Sequence, residues 1–126
     1  MATVTLSLPM PPSVNQLYAN ARGKGRIKTA KYRDWLTEAG VTLEQQKPDH
    51  LSGWVSVTYL ICKPDARKRD LMNLEKALSD LLCKHYVIED DSYITVAKLA
   101  WVRPEDVLWK DVLVQVTEVE AYEQEI

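Results

Sequence analysis

The residues of this chain that are most able to do chemistry lie between positions 67 and 91. Arg67, Lys68 and Arg69 are three consecutive cations, and Asp70 follows them directly. A second acidic group, Glu89–Asp91, comes later in the chain. Cationic side chains bind phosphates, and carboxylates that lie close together bind hard metal ions through their oxygen atoms. This combination predicts a metal ion held beside a bound polyanion.

The candidate metal ligands are Asp70, Asp90 and Asp91. Mg²⁺ prefers oxygen ligands and water, and a magnesium ion held in this way can generate hydroxide and polarise a phosphodiester. Lys76 is spaced to project from the same helix as Asp70, so its charge can neutralise charge that develops nearby. Each acidic group also has an ordinary alternative, because Asp70 stands where a helix N-cap is expected and the second group suits a solvated turn.

The distribution of charge indicates two places for phosphate binding. The net charge of −2 argues against a protein coated in basic surface. Residues 22–33, however, contain six cations and no acidic residue. Lys24, Arg26 and Lys28 of this segment are candidate phosphate ligands, as are the three cations of residues 67–69. If the bound polyanion is a nucleic acid, contacts of this kind recognise its shape rather than its sequence.

Length and composition predict a single domain over residues 1–126. A chain of 126 residues that is 46% hydrophobic and 27% charged has ordinary globular values. The longest apolar stretches are too short to span a bilayer, and the first residues lack the basic start of a signal peptide. We therefore expect a cytoplasmic protein.

Hydrophobic periodicity predicts the elements that position these residues. Strands are expected at Val4–Leu8, Trp54–Cys62, 93–102 and 111–119, and helices from Thr29 to about Gln46 and from near Asp70 to about Lys84. The order β-α-β-α-β-β predicts an α/β fold of α+β-like character. Its two helices pack on a single-layer mixed sheet of about four strands.

Three connections need separate predictions. Strands 93–102 and 111–119 are most simply joined as an antiparallel hairpin through the turn at residues 103–106. Residues 19–28 are polar, basic and glycine-containing, which is typical of a mobile loop. Gly40 is a residue at which the first helix can be interrupted.

Most of the chain resembles the RusA family of Holliday-junction resolvases, which are small phage and bacterial endonucleases. The resemblance begins at residues 8–18, where Pro-Pro-Ser-Val-Asn follows the first strand. It continues through Lys63-Pro64-Asp65, then through residues 69–77 with the sequence Arg-Asp-Leu-Met-Asn-Leu-Glu-Lys-Ala, Asp80, and residues 87–92. These pieces in this order and at these separations are more specific than any one of them.

The resemblance implies a RusA-like fold and roles for individual residues. Asp70, Lys76 and Asp91 match the catalytic residues of the family, Asp90 neighbours the last of them, and Arg69 matches a basic residue that contacts DNA. The implied activity is Mg²⁺-dependent hydrolysis, with Mn²⁺ able to substitute. A bacterial or phage-encoded homodimer would place paired nicks symmetrically across a four-way DNA junction.

Met72 departs from the family motif, which has a second acid at this position. A thioether is a poor ligand for Mg²⁺. The helical projection also places Met72, Glu75 and Ser79 on the polar side of the helix, away from its leucine stripe. Glu75 or Asp90 can supply the missing ligand, the protein can bind junctions without cutting them well, or the residue can be a deliberate change.

A third type of function needs neither metal nor DNA. If the acidic residues are ordinary caps and turns, the chain is a small protein-interaction domain. Such a domain would show no preference for branched over linear DNA, and its two basic groups would lie on different faces.

Overall fold

The computed structural model describes residues 1–120 of the chain. Its strands are β1 (Thr3–Leu8), β2 (Tyr18–Ala21), β3 (Gly25–Lys28), β4 (Val55–Cys62), β5 (Ile94–Val102) and β6 (Val112–Glu118), and its α-helices are α1 (Ala30–Gln45) and α2 (Glu75–Lys84). Short 3₁₀ turns occur at Val14–Gln16, Leu71–Leu74, Asp91–Tyr93 and Pro104–Asp106. The predicted strand that reaches residue 119 therefore ends one residue earlier.

Four strands form one mixed sheet in the order β1-β6-β4-β5. Strand β4 lies between β6, which is antiparallel to it, and β5, which is parallel to it. The predicted antiparallel hairpin of β5 and β6 is therefore wrong. The physical reason is that α2 carries the chain over the sheet from β4 to a parallel partner, and β6 then occupies the other side of β4. The predicted mixed sheet of four strands with two helices is confirmed.

One face of the sheet and both helices enclose the hydrophobic core. Alternate residues of β4, namely Val55, Val57, Tyr59 and Ile61, are fully buried and lie on the same face as the buried valines of β6. The leucine stripe of α2 packs against this face, as does a smaller set of residues from α1. Strand β4 is therefore the central strand that its apolar sequence predicts.

The basic segment predicted to be a mobile loop is a β-hairpin. Strands β2 and β3 pair in antiparallel register from Tyr18–Lys28 to Ala21–Gly25. Gly23 and Gly25 have φ values of 74° and 70°, a conformation that glycine adopts without steric cost and that allows the tight turn. The glycines therefore indicate a hairpin turn, and the flanking residues show too little hydrophobic alternation to reveal the strands.

Helix α1 begins and ends close to the predicted residues. Thr29 is its N-cap, and the Thr29 hydroxyl accepts a hydrogen bond of 3.1 Å from the backbone N–H of Tyr32. Gly40 does not interrupt the helix. It is buried against His85, whose ring would lie 2.9 Å from a Cβ added at this position.

The segment before α2 begins as a 3₁₀ turn at Leu71–Leu74 and becomes α-helical at Glu75. The structure thus divides the single predicted helix into two consecutive parts. No helix within residues 1–120 is long and apolar enough to cross a membrane.

Candidate active site

A cleft of about 360 Å³ lies where the first 3₁₀ turn approaches the segment before α2. Its lining includes three cations, Lys31, Lys68 and Arg69, and one carboxylate, Asp70. The remaining lining residues are Met10, Pro11, Ser13, Gln16, Pro64, Asn73, Leu74 and Trp101. The cleft therefore offers several cationic donors and one acidic group to an anionic ligand.

Asp70 is the N-cap that its sequence position predicts. Its Oδ1 accepts a hydrogen bond of 3.2 Å from the backbone N–H of Met72, and its backbone is extended with φ −88° and ψ 104°. This bond satisfies one of the free N–H groups at the start of the turn. Capping also fixes the position of the carboxylate at the wall of the cleft. The structural role of Asp70 is thus compatible with a second role toward a ligand.

Asp65 orders the cations that precede Asp70. The Arg69 guanidinium donates to both carboxylate oxygens of Asp65, with 2.6 Å between Nη2 and Oδ2 and 3.1 Å between Nε and Oδ1. Arg67 donates to Asp65 as well, over 3.1 Å from its Nε. These contacts, with Arg69 first, hold the pKa of Asp65 well below its usual range. The contacts of Asp65 with two arginines were not predicted from the sequence.

Lys76 lies in a second group of charged residues, on the exposed side of α2. Its Nζ is 3.1 Å from Oδ2 of Asp80, one turn further along the helix. The hydrogen bond to Asp80 is the main cause that raises the pKa of Lys76, and Asp91 and Tyr18 act in the same direction. The structure thus brings Lys76 and Asp91 into one electrostatic neighbourhood. Asp80 is a member of this group that we did not predict as a site residue.

The second acidic group adjoins the end of α2. The Ser92 hydroxyl donates a hydrogen bond of 2.5 Å to Oδ2 of Asp90, and this bond holds the pKa of Asp90 below its ordinary value. Asp91 approaches Cys83 through its backbone N–H. Burial and the neighbouring carboxylates raise the pKa of the Cys83 thiol to about 11, so the thiol is neutral at physiological pH.

Within the described residues 1–120, no group of three or more histidine, cysteine, aspartate or glutamate side chains is arranged to hold a metal ion. Asp70 lines the cleft, whereas Asp91 does not; the charge of Asp91 raises the pKa values of Lys76 and Cys83. Mg²⁺ is commonly held by only one or two carboxylates, several waters and the phosphates of a substrate. Asp70, Asp90 and Asp91 are exposed, and their carboxylate oxygens are ligands of the type that Mg²⁺ takes.

Met72 is exposed to 66%, which agrees with its predicted place on the polar side of the helix. Glu75, one suggested substitute for the missing acid, accepts a hydrogen bond from the Ser79 hydroxyl. Ser79 is itself buried and lies 2.7 Å from the hydroxyl of Tyr59. The helical projection had placed Ser79 on the far polar side, and this placement is wrong because β4 covers that part of α2. Glu75 is therefore anchored toward the sheet.

The cationic hairpin adjoins the Lys76 group through Tyr18. Arg26 lies over the ring of Tyr18, with 5.4 Å between the guanidinium carbon and the ring centroid. Tyr18 in turn meets Tyr32 edge-on, with 5.8 Å between ring centroids. Lys24 and Lys28, the other predicted DNA ligands of this segment, are exposed in the turn and in β3. The hairpin thus extends the basic surface beyond the cleft.

Comparison with known proteins gives a consistent result. Residues 9–117 match the family model described as endodeoxyribonuclease RusA. A crossover junction endodeoxyribonuclease RusA of Shigella sonnei (strain Ss046) is 34% identical over 96 residues, which cover 75% of this chain and 78% of that protein. The corresponding protein of Enterobacteria phage 82 has the same identity and coverage. That of Aquifex aeolicus (strain VF5) is 33% identical over 88 residues, covering 69% and 68% of the two chains.

These matches show the family of the chain that carries the mixed sheet and the basic cleft. The family model spans most of the sequence, and the curated relatives exceed 30% identity over most of their own length. The chain belongs to the RusA family of endodeoxyribonucleases, as its motifs predict.

Proposed function

We propose that this protein is a structure-selective endonuclease that resolves four-way DNA junctions by metal-dependent phosphodiester hydrolysis. The observation that carries the proposal is the cleft in which Asp70 stands among Lys31, Lys68 and Arg69. A carboxylate surrounded by cations suits a site that binds a phosphodiester next to a metal ligand. The relatives named as crossover junction endodeoxyribonucleases support the choice of substrate.

The cations of the cleft are proposed to bind DNA through its phosphates. Arg69 presents a planar guanidinium that Asp65 holds in place, so little side-chain freedom is lost when a phosphate binds. Arg67, Lys68 and the hairpin cations Lys24, Arg26 and Lys28 are proposed to contact the flanking backbone. Such contacts select DNA by the path of its strands.

Asp70, Lys76 and Asp91 are the proposed catalytic residues. Asp70 and Asp91 would each offer a carboxylate to Mg²⁺ or Mn²⁺, and Asp90 is the next candidate ligand beside Asp91. The metal, when bound, would supply an activated water and polarise the phosphate. Lys76 remains protonated beside Asp80 and can offset the negative charge that develops on the phosphate oxygens. Asp70 is kept in place by its own capping bond, so it needs little reorganisation to act.

A homodimer is part of the same proposal. A four-way junction has approximate two-fold symmetry, and two identical sites related by a two-fold axis can nick opposite strands at equivalent positions. Two nicks at equivalent positions on opposite strands need two such clefts, one from each copy.

Met72 favours a second candidate function, that of a junction-binding protein with weak or no cleavage. The family motif has an acid at this position, and here the side chain is an exposed thioether. Loss of a carboxylate weakens affinity for Mg²⁺ and leaves the cationic cleft intact. This candidate retains the same DNA surface.

Binding to a four-way junction and to linear duplex of equal length, followed by gel shift over a range of salt concentrations, tests the DNA-binding part. The unchanged chain should prefer the junction. A Lys68→Ala, Arg69→Ala double variant should reduce the slope of log affinity against log salt by up to about two units, since each phosphate contact contributes about one. Equal affinity for both DNAs would reject the proposal in favour of an interaction domain, and an unchanged slope would exclude both residues as phosphate ligands.

A further inference from the structure

The side chain of Arg26, on the β2–β3 hairpin, packs over the ring of Tyr18. Opposite residues of an antiparallel pair share a face, so the pairs Tyr18–Lys28 and Asn20–Arg26 lie on one face of the hairpin. On this face the Arg26 guanidinium is 5.4 Å from the centre of the Tyr18 ring. That distance lies within the range of a cation–π interaction.

Tyr18 is itself held by the core. Its ring packs edge-on against Tyr32, which is buried, and Tyr32 stacks with Trp35 at 6.4 Å between centroids. The Trp35 indole donates a hydrogen bond of 3.1 Å to the backbone oxygen of Pro9. Tyr18 is thus the outermost of three aromatic residues in contact, and the other two, Tyr32 and Trp35, are buried in the core.

The base of the hairpin is tied to α1 as well. The Thr29 hydroxyl donates a hydrogen bond of 2.6 Å to the backbone oxygen of Gln16, and Arg33 Nη1 donates one of 2.7 Å to that of Lys28. Tyr18 therefore cannot move far without disturbing the start of α1.

We propose that Tyr18 is a positioning residue that holds the Arg26 guanidinium on the exposed hairpin, where it binds a phosphate of the DNA strand. An arginine on an exposed strand ordinarily samples many rotamers, and ordering it costs affinity. The Tyr18 ring removes part of that cost. The proposal rests on the proposed DNA-binding function and adds a role for Tyr18 that the family motif does not contain.

A double-mutant cycle in DNA binding tests the coupling of the two residues. Affinity for a four-way junction is measured by fluorescence anisotropy in EDTA, so that neither metal binding nor cleavage contributes. Tyr18→Leu should weaken binding about threefold when Arg26 is present, the size of an exposed cation–π interaction. In the Arg26→Ala background the same change should have no effect. Tyr18→Phe, which keeps the ring, should bind like the unchanged chain.

Lys24→Ala is the matched control, since it removes one charge from the turn of the same hairpin. Its effect and that of Tyr18→Leu should simply multiply. An equal effect of Tyr18→Leu with and without Arg26 would overturn the positioning role and leave the proposed function standing. A failure of the unchanged chain to bind the junction would instead overturn both. Thermal unfolding of each variant shows whether a loss of affinity follows a loss of fold, and Tyr18→Leu losses that track unfolding in both Arg26 backgrounds also count against the proposal.

Discussion

Lys76 and Asp80 form an ion pair along the exposed side of α2, with 3.1 Å between Nζ and Oδ2. The pair stands beside Asp91, which also raises the pKa of the lysine. Lys76 is thus stabilised in its charged form by two carboxylates before any DNA binds. Asp80 therefore sets the ionisation of the proposed catalytic lysine.

Asp80→Asn should lower the pKa of Lys76 toward its ordinary value. The hydrogen bond and the charge of Asp80 are the two largest causes of the raised pKa, and the variant removes the charge. A raised lysine pKa stabilises the fold below the unfolded pKa, and this stability is lost as pH rises through the folded pKa. Loss of the Lys76 charge should therefore begin at lower pH in the variant, as followed by NMR titration of the lysine side chain. Because the pair is largely exposed, the cost in stability should be about 0.5 kcal/mol or less.

Asp106→Asn provides the control, because it removes a carboxylate from an exposed pair with Arg103 in the connection between β5 and β6. It should leave the Lys76 titration unchanged. A Lys76 titration in Asp80→Asn that coincides with that of the unchanged chain would contradict the assignment.

The buried contact between Tyr59 and Ser79 should contribute to the stability of the fold. The two hydroxyl oxygens are 2.7 Å apart, and both side chains are almost inaccessible to solvent. Ser79→Ala removes the buried partner of the Tyr59 hydroxyl and should cost about 1–3 kcal/mol. Tyr59→Phe should cost less, about 1 kcal/mol, because Ser79 keeps its bond to Glu75. Urea unfolding measures both changes.

The double variant supplies the decisive comparison. Its loss of stability should be smaller than the sum of the two single losses, since both single changes break the same contact. Additive losses would show that the two hydroxyls do not stabilise one another.

Gly40 and His85 should be coupled in stability. A Cβ at position 40 would lie 2.9 Å from Nε2 of His85, whose Nδ1 is 2.7 Å from Oε2 of Glu44. Gly40→Ala must therefore move the imidazole and weaken its contact with Glu44. In a His85→Ala background the obstruction is absent, and the same change should stabilise the chain by about 0.5–1 kcal/mol because alanine favours a helix interior.

Thermal or urea unfolding of the four chains in this cycle measures the coupling. Gly40→Ala should be less favourable when His85 is present than when it is absent. Equal effects in the two backgrounds would mean that the imidazole does not limit the size of residue 40.

The elements that local patterns control were predicted closely. Thr29 is the expected N-cap of α1, and the apolar residues from 55 to 62 form the expected central strand. Both follow from short-range rules, since capping depends on one side chain and an inner strand is rich in apolar residues. Only one face of β4 is fully buried, because Ser56, Thr58 and Leu60 on the other face are half-buried.

Features that depend on tertiary contacts were predicted less well. Strand β5 pairs with β4 rather than with β6 because the chain crosses over through α2. The sequences of the strands do not reveal which strand is the partner. Ser79 appeared to be a polar surface residue because helical projection does not reveal that Tyr59 approaches from β4. Gly40 likewise appeared to weaken α1, whereas it makes room for His85.

In the candidate site, too, the positions of residues in the chain were predicted better than the contacts between their side chains. The sequence placed Asp70 and Lys76 at the start of one helix, whereas the structure has Asp70 as the N-cap of the 3₁₀ turn and Lys76 in the first turn of α2. Asp65 and Asp80 lie within the motif pieces that resemble the family, but no role was predicted for either residue. The pair of Lys76 with Asp80 was within reach of sequence reasoning, because residues at i and i+4 of a helix face one another. The contacts of Asp65 with two arginines lie in a non-helical segment, where that rule does not apply.

Cleavage of a mobile four-way DNA junction, with Mg²⁺ or with EDTA, tests the central claim most directly. The unchanged chain should make paired symmetric nicks only with the metal, and Lys76→Ala should bind the junction without cutting it. Met72→Asp should increase the rate, because it supplies the carboxylate that the family motif has at this position. Junction binding without nicks in the unchanged chain, with nicks restored by Met72→Asp, would contradict the endonuclease and establish the junction-binding protein. Nicks that persist in EDTA or in Lys76→Ala would contradict the proposed mechanism.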